Sequence, residues 1–410
     1  MTQMLRPTLE VILKRHYKNN CIYKVLRADS ELATKKGDNF TSELTRVKLD
    51  VLLNSGKRTK DSVMIKEELQ NDFAKIMYRN MNLYPKEISV YRDILPHLED
   101  IMLEYGDRTG PLWGKCIDYK PYNLIVLDDL AKYGYIMVDR TKGLDWKHSE
   151  LVVRGLAKFH AITAILYQKG LINMDIYQNH IYSKENTSLI RIQRKCYEML
   201  AREMETKWGT GWKAMSYKIR DEIVPNINKL IKKLTEFDKS KFNALCHGDF
   251  WVNNVLFKYG LDGVTPISIK LLDFQQSYFN SPAFDLKHFL ATSISMELRN
   301  VHENRLTQMY YDSLMKELES YKYDGPAINS LKEFEEEMKR LDLYGLTVQL
   351  IVLPIVLIKN KTEMPNLQEM IKNIKNNKEV NFTFNPYKHS LPVFSDVIKA
   401  TLATCHNRIM

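Results

Sequence analysis

In the second half of the chain, His247-Gly248-Asp249-Phe250-Trp251-Val252-Asn253-Asn254 packs an imidazole, a carboxylate and two amides into one short string. An apolar run follows, then a turn at Gly260-Leu261-Asp262-Gly263, a second apolar run, and Asp273-Phe274-Gln275. An H-x-D by itself is common in polar turns. The full spacing H-x-D-x-x-x-x-N, then a hairpin, then an Asp at a strand end, is the set of groups that phosphoryl transfer needs. One carboxylate orients the attacking hydroxyl and accepts its proton, while an amide and a further carboxylate hold Mg²⁺ against the phosphates. Asp and Asn suit Mg²⁺, a hard cation that prefers oxygen. The hairpin can fold Asp273 back beside Asn254, so that both reach one metal site.

A second signal lies upstream. Val63-Met64-Ile65-Lys66 is similar to the V-A-I-K strand of kinases, whose Lys pairs with nucleotide phosphates and a helix Glu. Alone, a Lys at a strand end is an ordinary solvated edge. Glu87, on the first turn of a helix opened by Pro85, is the candidate partner. Glu67 and Glu68 follow Lys66 directly, where no separate helix can present them. The loop Gly37-Asp38-Asn39-Phe40-Thr41-Ser42 is the weakest member, with one Gly where a phosphate loop has several. Its backbone N–H groups and hydroxyls can still donate to phosphate.

These groups need a scaffold large enough to hold them. The chain has 410 residues, 44% of them hydrophobic and 27% charged, which suits two domains rather than one core. The net charge of +10 favours solubility and attraction to anions such as nucleotide phosphates. Lys and Arg are spread along the chain rather than gathered in a block, which argues against nucleic-acid binding. Five scattered cysteines, Cys21, Cys116, Cys196, Cys246 and Cys405, contain no C-x-x-C pair. That argues against a disulfide framework or a zinc site and fits a reducing, cytoplasmic setting. The N-terminal residues have no apolar run of signal-peptide length, so no secretion is expected. The most apolar stretch, 346–358, falls short of the roughly 20 residues a membrane span needs and reads as a buried core helix. In a cytosolic chain the Asn381-Phe382-Thr383 triplet is an accidental glycosylation match.

Hydrophobic patterning predicts a helix over 8–17, strands over 21–28, 43–53 and 62–66 with a polar turn at 55–61, and a helix around 72–79. A helix from Pro85 puts Ile88, Tyr91 and Leu95 on one face, with Pro96 as its stop, and 123–127 reads as a strand. From about residue 146 the pattern turns helical, with elements at 149–168, 186–204, 213–237, 300–320 and 328–358. Short strands at 255–257 and 267–272 interrupt it, and 373–390 reads as a surface loop. The expectation is an α+β chain with a small, mostly β nucleotide-binding lobe over 1–130, a connector at 127–131, and a larger helical lobe over 131–410. The large lobe carries the loop 245–257 and the Asp segment 266–286.

The chain resembles the insect ecdysteroid kinase-like proteins, a branch of the aminoglycoside/choline phosphotransferases within the bilobal protein-kinase-like fold. The resemblance runs over roughly residues 35–345 and rests on GDNFTSELTRV, VMIKEE, KEISVYRDILP, LIVLDDL, LAKFHA, LCHGDFWVNNVLF and LLDFQQSYFNSPAFDL. It implies ATP- and Mg²⁺-dependent phosphorylation of a hydroxyl on a small molecule. Asp249 would be the catalytic base, and Asn254 and Asp273 the metal ligands. Lys66 would pair with phosphate and with Glu87, Phe40, Thr41 and Ser42 would cover the phosphates, and the backbone of Asp128, Asp129 and Leu130 would face adenine. Asp273-Phe274-Gln275 stands in place of D-F-G, and Gly248 in place of the H-R-D arginine, so an activation-loop phosphate has no obvious partner there.

Other residues have two readings. His160 and His247 are structural supports or acid/base groups. Asp285 caps a helix or braces the loop. Phe250 and Trp251 wall a substrate pocket or belong to the core. The expected acceptor is a small alcohol, an ecdysteroid or a hydroxylated foreign compound, with a cationic acceptor such as choline or an aminoglycoside as the alternative. A catalytically silent binding protein is the third reading.

Overall fold

The computed structural model describes residues 2–16, 21–33, 42–68, 82–121, 124–178, 181, 187–358 and 391–409. The chain forms two compact units, Met1–Met137 with Leu256–Gln275, and Val138–Val255 with Gln276–Met410.

The first unit is built on an antiparallel sheet of order β1-β2-β3-β5-β4, with β1 Ile22–Leu32, β2 Ser42–Leu53, β3 Arg58–Glu68, β4 Cys116–Lys120 and β5 Leu124–Asp128. Alternation sets its faces. Val47, Leu49 and Val51 of β2 and Val63 and Ile65 of β3 point into a cluster completed by Leu9, Ile12 and Leu13 of helix α1, Thr2–His16. Lys66 therefore faces the opposite side of β3, whose neighbours β2 and β5 pair it with Leu44 and Ile125. The β2–β3 ladder reaches Leu52 and Arg58, so the turn is shorter than the polar run 55–61 suggested. Thr59, Lys60 and Asp61 belong to the paired strand, because a polar side chain on a hairpin arm does not stop its backbone from pairing.

The helix carrying Glu87 begins at Leu83, before Pro85 where it was expected to start, and runs as α2, Leu83–Ser89. Pro96 does not end it. A π-helical turn, Val90–Ile94, intervenes, and α3, Leu95–Glu104, continues with Pro96 in its first turn. Leu95 N–H donates to Val90 O, so the wide turn breaks the ordinary ladder just where the proline ring could not have taken part. The expected helix at 72–79 and the loop 373–390 lie outside the described residues.

The hairpin of β7, Val255–Tyr259, and β8, Pro266–Leu271, follows the loop at 245–254 but packs mostly with the first unit. The sequence reading kept it with the helical lobe. Backbone bonds account for the difference: Ile136 and Phe257 exchange N–H···O bonds of 2.9 and 2.8 Å, and Leu271 N–H donates to Leu112 O at 2.6 Å.

In the second unit α4, Trp146–Gln168, is capped by Asp145, which accepts from His148 N–H, and it packs along α8, Met296–Ser320. A separate apolar cluster joins α5, Thr187–Lys207, α6, Val224–Leu234, α10, Asp342–Leu357, and a C-terminal helix α11, Leu391–Ile409, that patterning had not suggested. The expected helix 328–358 is two helices, α9, Leu331–Arg340, and α10, bent by 53°. α9 buries only Phe334 and Met338, while α10 is buried on most sides, and one straight rod cannot meet both demands. Among the described residues no single helix is long and apolar enough to cross a membrane. A two-stranded pair, β6, Ala244–Cys246, with β9, Tyr278–Asn280, brackets the loop and leads into α7, Ala283–Thr292.

After β5 the chain is pinned by Asp129. Its carboxylate accepts from Arg46 Nε (2.8 Å) and Nη2 (3.3 Å), Ser62 Oγ (2.7 Å) and Ala131 N–H (3.1 Å). Burial works to raise its pKa, but these donors outweigh it and hold the group below the usual carboxylate range. A depressed folded pKa contributes stability above the unfolded value and loses it as pH falls through the folded one, so the window lies below about pH 4. Asp129→Ala is expected to cost about 1–3 kcal/mol at neutral pH. Thermal unfolding of both proteins at neutral and at acidic pH checks this: the gap should close in acid, and an unchanged gap would remove the carboxylate as its cause.

Candidate active site

The first unit brings together Lys66, Glu87 and Asp273. Lys66 Nζ donates to both Glu87 oxygens, at 2.8 and 2.7 Å, and to Asp273 Oδ1 at 2.8 Å. Lys66 and Glu87 are buried, and Tyr84 OH donates to the Lys66 carbonyl, fixing the strand against α2. Burial acts to lower the Lys66 pKa, but the charges of Asp273 and Glu87 outweigh it and drive the ammonium well upward, so it stays protonated. Burial is also the main cause that pushes the Glu87 carboxyl up, to about 7. One lysine thus serves two carboxylates, and a cation or phosphate that engages Asp273 or Lys66 would relieve the mismatch.

Asp273 has φ +65°, a left-handed conformation that Asp tolerates better than most residues. The next side chain anchors it: Phe274 is fully buried, edge-on to Tyr91 at 5.7 Å. Among the described residues Oδ2 of Asp273 accepts a long 3.4 Å bond from Gln275 Nε2, and a carboxylate oxygen so weakly held suits a hard cation.

The second unit holds the loop with Asp249 and Asn254. Its geometry is set by Asp285, on the first turn of α7. Asp285 accepts from His247 N–H (2.5 Å) and Gly248 N–H (3.0 Å), and Oδ2 is also bonded to His160 Nε2 (3.0 Å). His160 Nδ1 meets Tyr310 OH at 2.7 Å, so α4, α7, α8 and the loop join in one buried network. Burial alone would raise the Asp285 pKa, but His160, His247 and the Gly248 N–H lower it more. Asp285 therefore braces the loop, and His160 is a structural support. Cys246 directs its thiol to the Ser281 carbonyl at 3.3 Å, and burial lifts its pKa far from the reactive range.

Beyond the brace, Asn254 Nδ2 donates to Asp249 O (2.7 Å) and more weakly to Oδ2 (3.4 Å). These bonds hold the amide by its nitrogen, and the amide oxygen is the atom of a type that could ligate a hard cation. Phe250 is core, edge-on to His247 and tilted on Phe289. Trp251 is half-buried against the cluster of α5, α6, α10 and α11.

Other expected residues play smaller visible parts. Asp128 N–H donates to Lys115 O, Leu130 is buried, and Asp129 turns its side chain to the sheet. Phe40 and Thr41 lie outside the described residues, as does the side chain of Ser42. Sequence reasoning missed Tyr310 and Ser293, whose Oγ accepts from Val252 N–H at 3.0 Å. Both are distant in sequence and ordinary in type, so nothing local marks them.

The model of the ecdysteroid kinase-like family matches residues 36–323. No curated protein matches the chain significantly. Among solved structures, a choline kinase from Cryptosporidium parvum Iowa II is similar with a TM-score of 0.52 at 11% identity, covering 100% of this chain and 97% of that one. At that identity the likeness establishes the protein-kinase-like fold.

Gly248 explains why no arginine stands between His247 and Asp249. Its φ is +83°, and an added Cβ would overlap the Gln276 carbonyl. Gly248→Ala should therefore displace the loop. Asp285→Ala, which strips a buried charge network, should cost roughly 3–5 kcal/mol. Calorimetric unfolding tests both, and wild-type midpoints in both variants would refute the bracing role.

Proposed function

Because the chain belongs to the ecdysteroid kinase-like family, we propose that it transfers the γ-phosphoryl group of ATP to a hydroxyl of a small, largely apolar molecule, an ecdysteroid or a hydroxylated foreign compound. The observation that carries the reading is the buried Lys66–Glu87 pair with Asp273 on the same ammonium. On this reading Lys66, held by Glu87, exchanges Asp273 for phosphate oxygens. Asp249 accepts the proton of the acceptor hydroxyl as its oxygen attacks phosphorus. Asn254 and Asp273 offer the oxygens that would hold Mg²⁺, which when bound supplies neutralising charge at the phosphates. Phe40, Thr41 and Ser42 are assigned to cover the phosphates, and the backbone of Asp128 to Leu130 to face adenine.

An apolar acceptor is supported by Trp251, two residues from Asp249, which packs on a cluster where Met296, Ile351 and Leu357 are also only partly buried. A choline-type cation would want an open aromatic face or carboxylates. In this cluster the Trp208 ring already carries Lys399 Nζ at 5.0 Å. The silent-protein reading is disfavoured because neither the base nor a metal ligand is replaced. A cytoplasmic setting is part of the same proposal and rests on five scattered cysteines without a C-x-x-C pair.

Purified protein with Mg-ATP and a panel of steroid alcohols, with choline as competitor, tests the reading. Asp249→Ala should lower turnover on the order of 10²–10⁴-fold, the usual scale for a general base. Mg-ATP should raise the unfolding midpoint by mass action. Turnover of choline in place of steroids would overturn the acceptor class, and no thermal shift at millimolar Mg-ATP would favour a silent protein.

A further inference from the structure

His288 lies one turn beyond Asp285 on α7 and is buried. Its Nδ1 faces Tyr344 OH at 3.5 Å. Among the described residues its Nε2 has no hydrogen-bond partner and is closed to solvent, and it lies 4.0 Å from Asp249 Oδ1. A buried polar nitrogen left unmatched costs about 1–3 kcal/mol and calls for an explanation. Its position against the carboxylate proposed as the base supplies one.

We infer that His288 is a positioning residue for Asp249, its Nε2–H being the donor that fixes the rotamer of the Asp249 carboxylate when the acceptor binds. This rests on the reading of Asp249 as the base. A neutral imidazole carries one N–H. The Tyr344 hydroxyl as donor to Nδ1 would place the proton on Nε2, 4.0 Å from Oδ1. Burial lowers the pKa of His288 to about 4, so the ring is neutral in ordinary buffers. The gap exceeds a hydrogen bond by about 1 Å, within reach of a small side-chain rotation, and catalytic hydrogen bonds are commonly long before substrate binds. Asn254 Nδ2 already approaches Oδ2, so a donor at Oδ1 would hold the carboxylate from both ends. A carboxylate oxygen that accepts one hydrogen bond has a second lone pair, so such a donor does not by itself block proton transfer from the acceptor.

The test compares His288→Phe, which keeps a flat ring without the donor, with His288→Gln, which can return an N–H near the Nε2 position. Steady-state turnover is measured with Mg-ATP and the steroid alcohol phosphorylated in the panel. His288→Phe should lower kcat by roughly 10- to 100-fold, since a misplacement of about 1 Å has effects on that scale, with KM for ATP nearly unchanged. His288→Gln should recover most of the loss. Equal losses in the two variants, or none in either, would overturn the inference. Nitrogen NMR of the labelled imidazole in the unsubstituted protein decides independently of activity and of variant folding. The Nε2–H tautomer, with a resonance that moves in Asp249→Ala, is expected, and an Nδ1–H tautomer would overturn it. If Asp249→Ala keeps full turnover while the tautomer is Nε2–H, the base assignment fails and the contact stands.

Discussion

The loop from His247 to Asn254 depends on one buried carboxylate. Asp285 gathers two successive backbone N–H groups and an imidazole into one site, and none of these could be left dry and unpaired without a penalty of several kcal/mol. Because its partners come from α4 and from the loop while Asp285 itself sits on α7, the network fixes the loop to the helical core rather than to its own neighbours in sequence. Gly248 is the steric counterpart. Two donors can converge on one carboxylate only if the chain turns sharply between them, and that turn uses positive φ and the space a side chain would fill.

The two sets of polar groups are stabilised differently. The Asp285 network is balanced, with its oxygens matched by donors, and it suits a fixed scaffold. The Lys66 cluster is unbalanced, with one ammonium between two carboxylates, and burial pushes Glu87 toward neutrality. A cluster in which one ammonium is shared by two carboxylates is suited to exchange partners, which is what binding phosphate and a divalent cation would require.

Much of this was legible in the sequence because the candidate site groups are also chemically unusual. An acid, an amide and a further acid at fixed spacing around a hairpin stand out, and Glu87 was chosen over Glu67 and Glu68 by the geometry of a separate helix. Four strands of the sheet and the long α4 followed from apolar alternation and helical periodicity, while β4, Cys116–Lys120, did not. Patterning failed where a tertiary choice overrides a local rule. Pro96 sits inside a continuing helical run because a π turn absorbs it, the run 328–358 bends because its two ends have different burial, and the hairpin packs with the unit that precedes it by means of backbone bonds that no side chain announces. Tyr310 and His288 were invisible for another reason: each matters only through a partner far away in sequence.

The same constraint bears on regulation. In protein kinases an arginine beside the catalytic Asp reads a phosphate on a mobile loop, so catalysis waits for modification. Here that position is Gly248, and what the arginine would organise from outside is organised from inside by Asp285 and His160. A carboxylate held ionised by burial-resistant donors is present whenever the chain is folded. A loop braced in this way takes its geometry from buried groups of the helical unit that carries it.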